Sequence, residues 1–190
     1  MMTDANNKKG FTLVETMVAV TVLAIALVGP FTAVQHALSA SYVARDELIA
    51  SSLAQEGMEY VRSIRDNNYL NGRTWMDDLS TFTNCFGINP SGYCTVDPTR
   101  GDIHTDSTQN PAMVGYGNIN NVPPLYLSTI GLYNQQNIGT KTRFTRSVRI
   151  TCLGGSCATA TEVQVVVTVS WISARQSYSV TVTDNLRDWL

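Results

Sequence analysis

The chain has 190 residues, of which 44% are hydrophobic and 15% are charged, and its formal net charge is −2 at pH 7. This length suits one modest globular domain with an additional anchor segment. The sequence has no basic run and no basic patch interleaved with aromatic residues, which excludes nucleic acid as an obligatory partner. His36 and His104 are the only histidines. Neither stands in a recognisable nucleophile arrangement, so the sequence predicts no enzyme and no cofactor.

A long apolar run begins after the first ten residues. It extends from Phe11 to Phe31, and Glu15 is its only charged residue. About 20 apolar residues in a helix rise roughly 30 Å, which is enough to cross the hydrocarbon core of a bilayer. Lys8 and Lys9 precede the run, and lysines on that side favour a cytoplasmic N-terminus. The sequence therefore predicts a single-pass protein of the cytoplasmic membrane with its bulk outside the cytoplasm.

The residues before this run differ from an ordinary secretory signal. Such a signal has a short apolar centre, followed by a cleavage site with small residues. Here the small residue Gly10 comes before the apolar run. Cleavage at Gly10 would keep the apolar helix and make it the new N-terminus.

The residues Lys-Lys-Gly-Phe-Thr-Leu-Val-Glu at positions 8–15, followed by an apolar helix, resemble the processing site of type IV prepilins and type II secretion pseudopilins. The resemblance implies cleavage after Gly10 and N-methylation of Phe11 by a prepilin peptidase/N-methyltransferase. The implied partners are membrane lipid before assembly, an inner-membrane assembly platform, and other pilin or pseudopilin subunits in a helical filament. It also implies an α+β, pilin-like fold, in which a long N-terminal helical spine packs on an antiparallel sheet head with long loops.

Glu15 is the acidic residue of this motif, five places into the mature chain. An ionised carboxylate in a membrane helix costs at least about 2.5 kcal/mol on insertion scales, so it normally has a partner. Cleavage would supply one, because the new amine of Phe11 has an unperturbed pKa of about 8 and is largely positive at neutral pH. The resemblance implies that this amine and Glu15 form an assembly charge pair. The alternative is a signal-anchor helix that tolerates one acid near its end.

The helical pattern continues beyond the apolar run. Gly29 and Pro30 predict a kink, because proline removes a backbone donor and crowds the preceding turn; the alternative is an ordinary membrane-helix proline that local adjustment satisfies. Further apolar residues recur in steps of four and seven at Leu38, Tyr42, Ile49, Leu53, Tyr60 and Ile64. Such a stripe stays on one face of the helix and favours packing on the chain's own core over a groove for a partner.

The chain is accordingly divided into four segments. Residues 1–10 are the leader, and residues 11–34 are the transmembrane and filament-core helix. Residues 35–66 are its amphipathic continuation, ended by Asp66-Asn67-Asn68 and Asn71-Gly72. Residues 67–190 form the extracytoplasmic α+β head.

Alternation of apolar and polar residues predicts the sheet of the head. The pattern is clearest in Arg143–Cys152, in the run from Val163 to Trp171, and from Tyr178 to Thr183. Period two with β-branched residues and short connections is typical of an antiparallel meander with one wet face. The segment from about residue 67 to 137 is rich in turn residues and predicts long ordered loops with short strands, one of them at Leu125–Ser128.

Four cysteines form two local pairs along the chain, Cys85/Cys94 and Cys152/Cys157. Outside the cytoplasm disulfides persist, and an even number of cysteines fits a role in stapling loops. Of the three possible connectivities, Cys85–Cys94 and Cys152–Cys157 are favoured. A four-cysteine zinc site is the alternative, but the two intervals do not both match the usual spacing of roughly two to four residues, and no metal site is predicted.

Two other motifs lie in the polar loops. Acidic residues and a histidine cluster at Asp97, Asp102, His104 and Asp106. The glycine and glutamate positions of a calcium-binding loop are missing there, which favours a solvated acidic loop over a cation site. Arg100-Gly101-Asp102 spells a tripeptide known from cell adhesion, but three residues arise easily by chance.

The sequence therefore predicts a structural filament subunit, a type IV pilus-like or pseudopilus component that serves pilus assembly, adhesion, DNA uptake or protein secretion. Its elaborate loops favour a minor pilin or pseudopilin over the most abundant subunit. The assembled filament would lie at the cell surface or in the periplasm. The alternative is a non-polymerising, single-pass membrane-anchored binding domain, which would keep its leader and an unmethylated Phe11.

Overall fold

The computed structural model describes residues 10–77, 79, 92–100, 113–154, 160–173 and 175–188. The chain forms two compact units, Met1–Arg45 and Asp46–Leu190. One helix, α1, spans Leu13–Leu70 and is followed by antiparallel strands. The α+β layout that the sequence predicts, a long N-terminal helix packed on an antiparallel sheet head, is confirmed.

Turn chemistry ends α1 at Leu70. Gly72 follows with a φ of 67°, the left-handed conformation that glycine adopts without steric cost. The Gly72 amide donates to the Tyr69 carbonyl at 3.0 Å, and the Arg73 amide donates to the Asn68 carbonyl at 2.9 Å. This bonding is a Schellman motif, which satisfies carbonyls left free at a helix end. The helix thus continues past Asp66, and Asn71-Gly72 is the effective stop signal.

The strands form two sheets. They are β1 (Tyr93–Val96), β2 (Met113–Tyr116), β3 (Tyr126–Leu127), β4 (Tyr133–Asn134), β5 (Thr140–Lys141), β6 (Thr145–Leu153), β7 (Glu162–Ser173) and β8 (Gln176–Arg187). The larger sheet has the order β2-β1-β6-β7-β8, and the smaller has the order β4-β3-β5. Short 3₁₀ turns occupy Pro98–Arg100 and Ile119–Asn121.

The predicted meander is confirmed in β6, β7 and β8, where continuous antiparallel registers join neighbouring strands. Val148 faces Val167, which in turn faces Val182. The third strand is longer than its apolar pattern indicates and takes in Asp184 and Leu186. Leu186 is buried and extends the core to the end of this strand.

The core of the head lies between the second half of α1 and one face of the larger sheet. The helix contributes Ala50, Leu53, Ala54, Met58, Val61 and Ile64, and the strands contribute chiefly valines of β7 together with Val148, Ile150 and Trp171. Every residue of this core belongs to the second unit, so the head's core is complete without residues 1–45.

The predicted helix stripe holds only in part. Leu53 and Ile64 are buried, and Ile49 and Tyr60 pack against the core. Leu38 and Tyr42 are instead exposed, by 55% and 64%. The stripe therefore becomes a core face only where the sheet covers the helix.

Two features of the described head lie in the segment from about residue 67 to 137, where the sequence predicts long loops with short strands. Trp75 is buried in the turn after α1, where Asn68 donates to the Trp75 carbonyl at 3.2 Å and to the Asp77 carbonyl at 2.6 Å. The predicted strand at Leu125–Ser128 is present as β3, Tyr126–Leu127. Its partner strands β4 and β5 are equally short.

Candidate functional site

The N-terminal motif places its two predicted cleavage residues just before the helix. Gly10 and Phe11 precede Leu13, the first residue of α1, and Phe11 is 82% exposed. A Cβ added to Gly10 would meet no atom within 4 Å. The peptide bond between Gly10 and Phe11 is therefore non-helical and accessible, and this chain's own packing does not require glycine at position 10.

The Thr12 side chain caps the first turn of α1. The Glu15 amide donates to Thr12 Oγ1 at 3.2 Å, and the Thr16 amide donates to the Thr12 carbonyl at 3.2 Å. Thr-x-x-Glu is the sequence of a capping box, with threonine at the cap and glutamate three residues later. Sequence reasoning interpreted Glu15 only as a charge that needs a partner and missed the cap that Thr12 forms. The spacing of Thr12 and Glu15 was the signal that could have revealed it.

The charge of Glu15 has a second effect at this position. A helix carries a partial positive charge at its N-terminus, so an acid in the first turn is favourable and a cation is unfavourable. Glu15 is the acidic residue of the first turn and is exposed. In the part of the chain that the structure describes, it makes no ion pair. Lys8 and Lys9 lie outside the described residues.

The first unit presents an apolar helical surface. Large hydrophobic side chains such as Val14, Leu23 and Ile25 are between 63% and 76% exposed. This is the one described helix long and apolar enough to cross a membrane, and none of its apolar window is buried in the rest of the chain. The surface needs an apolar environment that the described chain does not supply, either lipid or other helices.

Pro30 lies within α1, and the helix is continuous on both sides of it. Proline brings no amide donor for the carbonyl of Ala26, four residues earlier. The Thr32 hydroxyl donates to a different carbonyl, that of Gly29, at 2.8 Å. The same bond is made by the Thr16 and Thr21 hydroxyls, where no proline is present, so it is not specific to Pro30. The kink at Gly29 and Pro30 stays a prediction.

Of the four cysteines, the structure describes Cys94 and Cys152, and both are disulfide-bonded. Cys94 lies in β1 opposite Val148 of β6, and Cys152 lies in β6 opposite Val163 of β7. Cys85 and Cys157 lie outside the described residues. The pairing Cys85–Cys94 and Cys152–Cys157 therefore stays a prediction.

The acidic loop is described only at Asp97, because Asp102, His104 and Asp106 lie outside the described residues. Asp97 is buried and accepts hydrogen bonds from the Thr99 hydroxyl at 2.6 Å and from the Gln135 amide at 3.0 Å. Asp97 thus joins the first 3₁₀ turn to the loop after β4. No group of three potential metal ligands occurs among the described residues. Of the tripeptide at 100–102, only Arg100 is described.

Ion pairs join α1 to the strands of the head. Arg143 Nη1 donates to Asp46 Oδ2 at 2.8 Å, and Arg62 Nη2 donates to Asp184 Oδ2 at 2.7 Å. Arg62 also pairs with Glu59. The hydrogen bond to Asp184 raises the pKa of the Arg62 guanidinium above its ordinary value, burial lowers it, and the nearby negative charges add to the increase. These pairs hold the helix at both ends of the sheet.

A third pair lies inside the head. Arg146 is fully buried and donates to Glu56 Oε2 at 2.7 Å, to the Leu53 carbonyl at 3.1 Å and to the Val96 carbonyl at 2.8 Å. It occupies an inward position of β6 where the alternating pattern predicts an apolar residue. Sequence reasoning missed it, because its burial depends on acceptors from two other elements.

One of the comparisons with known proteins matches the N-terminal motif of this chain. A family model described as the prokaryotic N-terminal methylation motif matches residues 5–29. The chain shows no significant match to a curated protein or to a solved structure. The motif supports a type IV pilin-like family, whose members are structural subunits processed by prepilin peptidase and assembled with other pilins. Together with the apolar helix, it indicates a single-pass, membrane-anchored subunit of the pilin-type filaments.

Proposed function

We propose that this chain is a subunit of a type IV pilus-like or type II secretion pseudopilus filament, and a minor one. The observation that carries the proposal is a prepilin-type motif followed at once by an apolar helix that the described chain leaves uncovered. Before assembly, lipid covers this helix. In the filament, the equivalent helices of other subunits replace the lipid.

The proposed maturation is cleavage between Gly10 and Phe11 and methylation of the new amine. The bond lies in an accessible, non-helical segment just before the N-terminus of α1. Such a segment is suited to recognition by a membrane peptidase. The leader then stays in the cytoplasm, and the head lies outside the membrane. Partners are the prepilin peptidase/N-methyltransferase, the inner-membrane assembly platform and other pilin subunits.

The proposed role of Glu15 is to balance the amine that cleavage creates. That ammonium would stand just before the helix, at the positive end of the helix dipole, where a cation is unfavourable. Glu15 in the first turn offsets this cost locally, or it pairs with the amine of a neighbouring subunit. The pairing between neighbouring subunits would also fix their register, because a slipped helix would leave both charges without a partner in an apolar setting.

The head supports a minor role. Its second sheet, β4-β3-β5, and the loops around it add an elaborate surface to a simple meander. We propose that Cys85–Cys94 and Cys152–Cys157 staple these loops, which suits a protein that works outside the cytoplasm. The function served by the filament lies among pilus assembly, adhesion, DNA uptake and secretion.

Mass spectrometry of the N-terminal peptide, after co-expression with a prepilin peptidase, tests the processing. The expected peptide begins at Phe11 and carries one extra methyl group. Gly10→Ala should be cut at least partly, whereas Gly10→Leu should remain full length, since the peptidase and not this chain requires a small residue there. Gly29→Ala is the matched control and should be processed normally. An intact leader on the protein from its native envelope would favour the non-polymerising anchored domain.

Three variants separate the charge of Glu15 from the cap at Thr12. Glu15→Ala loses the charge and the polar side chain, Glu15→Gln loses only the charge, and Thr12→Ala loses the cap but keeps the charge. We expect all three to be cleaved, and only the two Glu15 variants to be depleted from filaments in pull-down assays. Normal incorporation of Glu15→Gln would contradict the charge pair.

A further inference from the structure

The head has one end at which the chain enters it, defined here as the entry end. It contains the start of the buried part of α1, where Asp46 accepts from Arg143. Next to Arg143, the Phe144 ring lies 5.9 Å from the Trp171 ring, near the end of β7. The small sheet is attached here too, because the Leu125 amide donates to the Phe144 carbonyl at 2.8 Å. The β7–β8 turn follows directly after Ser173.

Exposed apolar side chains are concentrated at this end. Eight large hydrophobic residues are exposed among the described residues of the head, and three of these (Leu70, Ile119 and Leu153) lie elsewhere. The other five are in α1, in the turns of the small sheet and at the end of β7: Leu48 at 71%, Ile130 at 78%, Leu132 at 51%, Ile138 at 57% and Ile172 at 65%. Isolated exposed apolar residues are ordinary, but this concentration marks an interaction surface.

Cations accompany the apolar residues. Lys141 in β5 and Arg175 in the β7–β8 turn are exposed, and neither makes an ion pair within the described chain. Glu47 is the exposed acid of the same end, while Asp46 is neutralised by Arg143. The opposite end of the sheet instead carries acids already paired with arginines, such as Glu162 with Arg187. Exposed apolar side chains beside lysine and arginine are typical of surfaces that rest on anionic lipid.

The length of the anchor permits such a contact. From Phe11 to Arg45, a helix rises about 50 Å, compared with about 40–45 Å for a bilayer including its headgroups. The chain therefore enters the head within roughly 10 Å of the lipid surface, and a tilted helix brings it closer. We propose that the entry end of the head binds anionic phospholipid of the outer leaflet while the subunit waits in the membrane. This requires membrane anchoring but not filament assembly.

Sedimentation with lipid vesicles tests the proposal on residues 40–190, which keep the complete core of the head. The vesicles contain phosphatidylcholine alone or phosphatidylcholine mixed with phosphatidylglycerol. We expect binding only to the mixed vesicles, weakened about fivefold by Lys141→Gln or Arg175→Gln and by about tenfold or more by the double change Ile138→Gln/Ile172→Gln. Leu70→Gln, at a side chain 84% exposed outside this end, is the matched control and should bind as the parent does.

Circular dichroism of each variant ensures that weaker binding does not reflect unfolding. Equal binding to both vesicle compositions, no binding to either, or an equal loss in the Leu70→Gln control would overturn the proposal. Self-association of the fragment without lipid, abolished by Ile138→Gln/Ile172→Gln, would assign this surface to a second copy of the chain and would also overturn it. Failure of filament assembly in cells leaves these vesicle results unaffected, so the two proposals fail separately.

Discussion

The two halves of α1 share one backbone conformation but have opposite surroundings. Between Leu13 and Arg45 no described residue is buried, whereas from Asp46 to Asn68 ten residues are buried. Up to about residue 34 the first half is apolar on nearly every side, as expected of a helix surrounded by lipid or by other helices. The second half is amphipathic, and its buried side includes Asp46, Arg65 and Asn68. Both halves are helical, so helicity does not distinguish their functions. The surroundings that each half requires do distinguish them.

The largest expected effect comes from Arg146, whose buried guanidinium joins the second half of α1 to the sheet. Arg146→Met should destabilise the head by about 2–4 kcal/mol, because it removes the donor to the Val96 and Leu53 carbonyls inside the head. The Glu56 side chain is 40% exposed, so water solvates the carboxylate that is left without its partner. Urea unfolding of residues 40–190 measures this loss. Arg149→Met, on the other face of the same strand, is the matched control and should cost far less. Equal losses in the two variants would show that the hydrogen bonds of Arg146 add no stability beyond the packing of its aliphatic chain.

A glycine in each half gives the second test. A Cβ at Gly57 would lie 3.1 Å from Arg146 Cδ and 3.1 Å from Val167 Cγ1, whereas one at Gly29 would meet nothing within 4 Å. Gly57→Val should therefore destabilise the head by about 1–3 kcal/mol through overpacking. Gly29→Ala should be neutral or favour the helix by about 0.5–1 kcal/mol. Urea unfolding measures the first effect, and helicity of the full chain in detergent by circular dichroism measures the second.

A cost at Gly29 similar to that at Gly57 would contradict the comparison. It would mean that the first half of α1 packs as closely as the second within a single chain. A loss at Gly29 that appears only in assembled filaments has a different meaning, because close helix packing between subunits also favours small residues.

The parts of this fold that the sequence predicts are those fixed by local pattern. The apolar run of α1 and the alternation in β6, β7 and β8 need no knowledge of distant residues. The motif at Gly10, Phe11 and Glu15 is likewise contiguous, and the family model matches the same segment. Short-range periodicity was therefore sufficient for the spine and the meander.

The remaining features depend on contacts between residues far apart in the chain. β1 joins the large sheet through Cys94 opposite Val148, a pairing that no local pattern announces. Arg146 is a charged residue at an inward position of β6, and only its acceptors in Leu53, Glu56 and Val96, all distant in the chain, explain its burial. The end of α1 was predicted too early, because Asp66-Asn67-Asn68 resembles a stop signal while Asn68 holds the next turn through Trp75 and Asp77.

A smaller effect is expected at the start of the exposed half. Thr12→Ala removes the side-chain acceptor of the Glu15 amide and should cost about 1 kcal/mol of local helix stability. Amide hydrogen exchange of the full chain in detergent micelles should show faster exchange in the first turn. Thr21→Ala, whose hydroxyl donates to the Val18 carbonyl within the helix, is the matched control and should leave that turn unchanged. Unchanged exchange in Thr12→Ala would argue against the capping box.

The smallest effect is expected for the ion pair of Arg62 with Asp184. This pair joins α1 to β8, an edge strand of the larger sheet. Both side chains are about a third exposed, at 37% and 34%, so solvent screens the pair and Arg62→Gln should cost below about 1 kcal/mol. The raised pKa of Arg62 adds stability that is complete below its unfolded value and is lost only as the pH rises through the folded value. Because arginine titrates above about pH 12, the difference in unfolding free energy between parent and variant should stay constant from about pH 6 to pH 9. A difference that changes across this range would show that another ionisable group, and not the Arg62 guanidinium, controls this end of the helix.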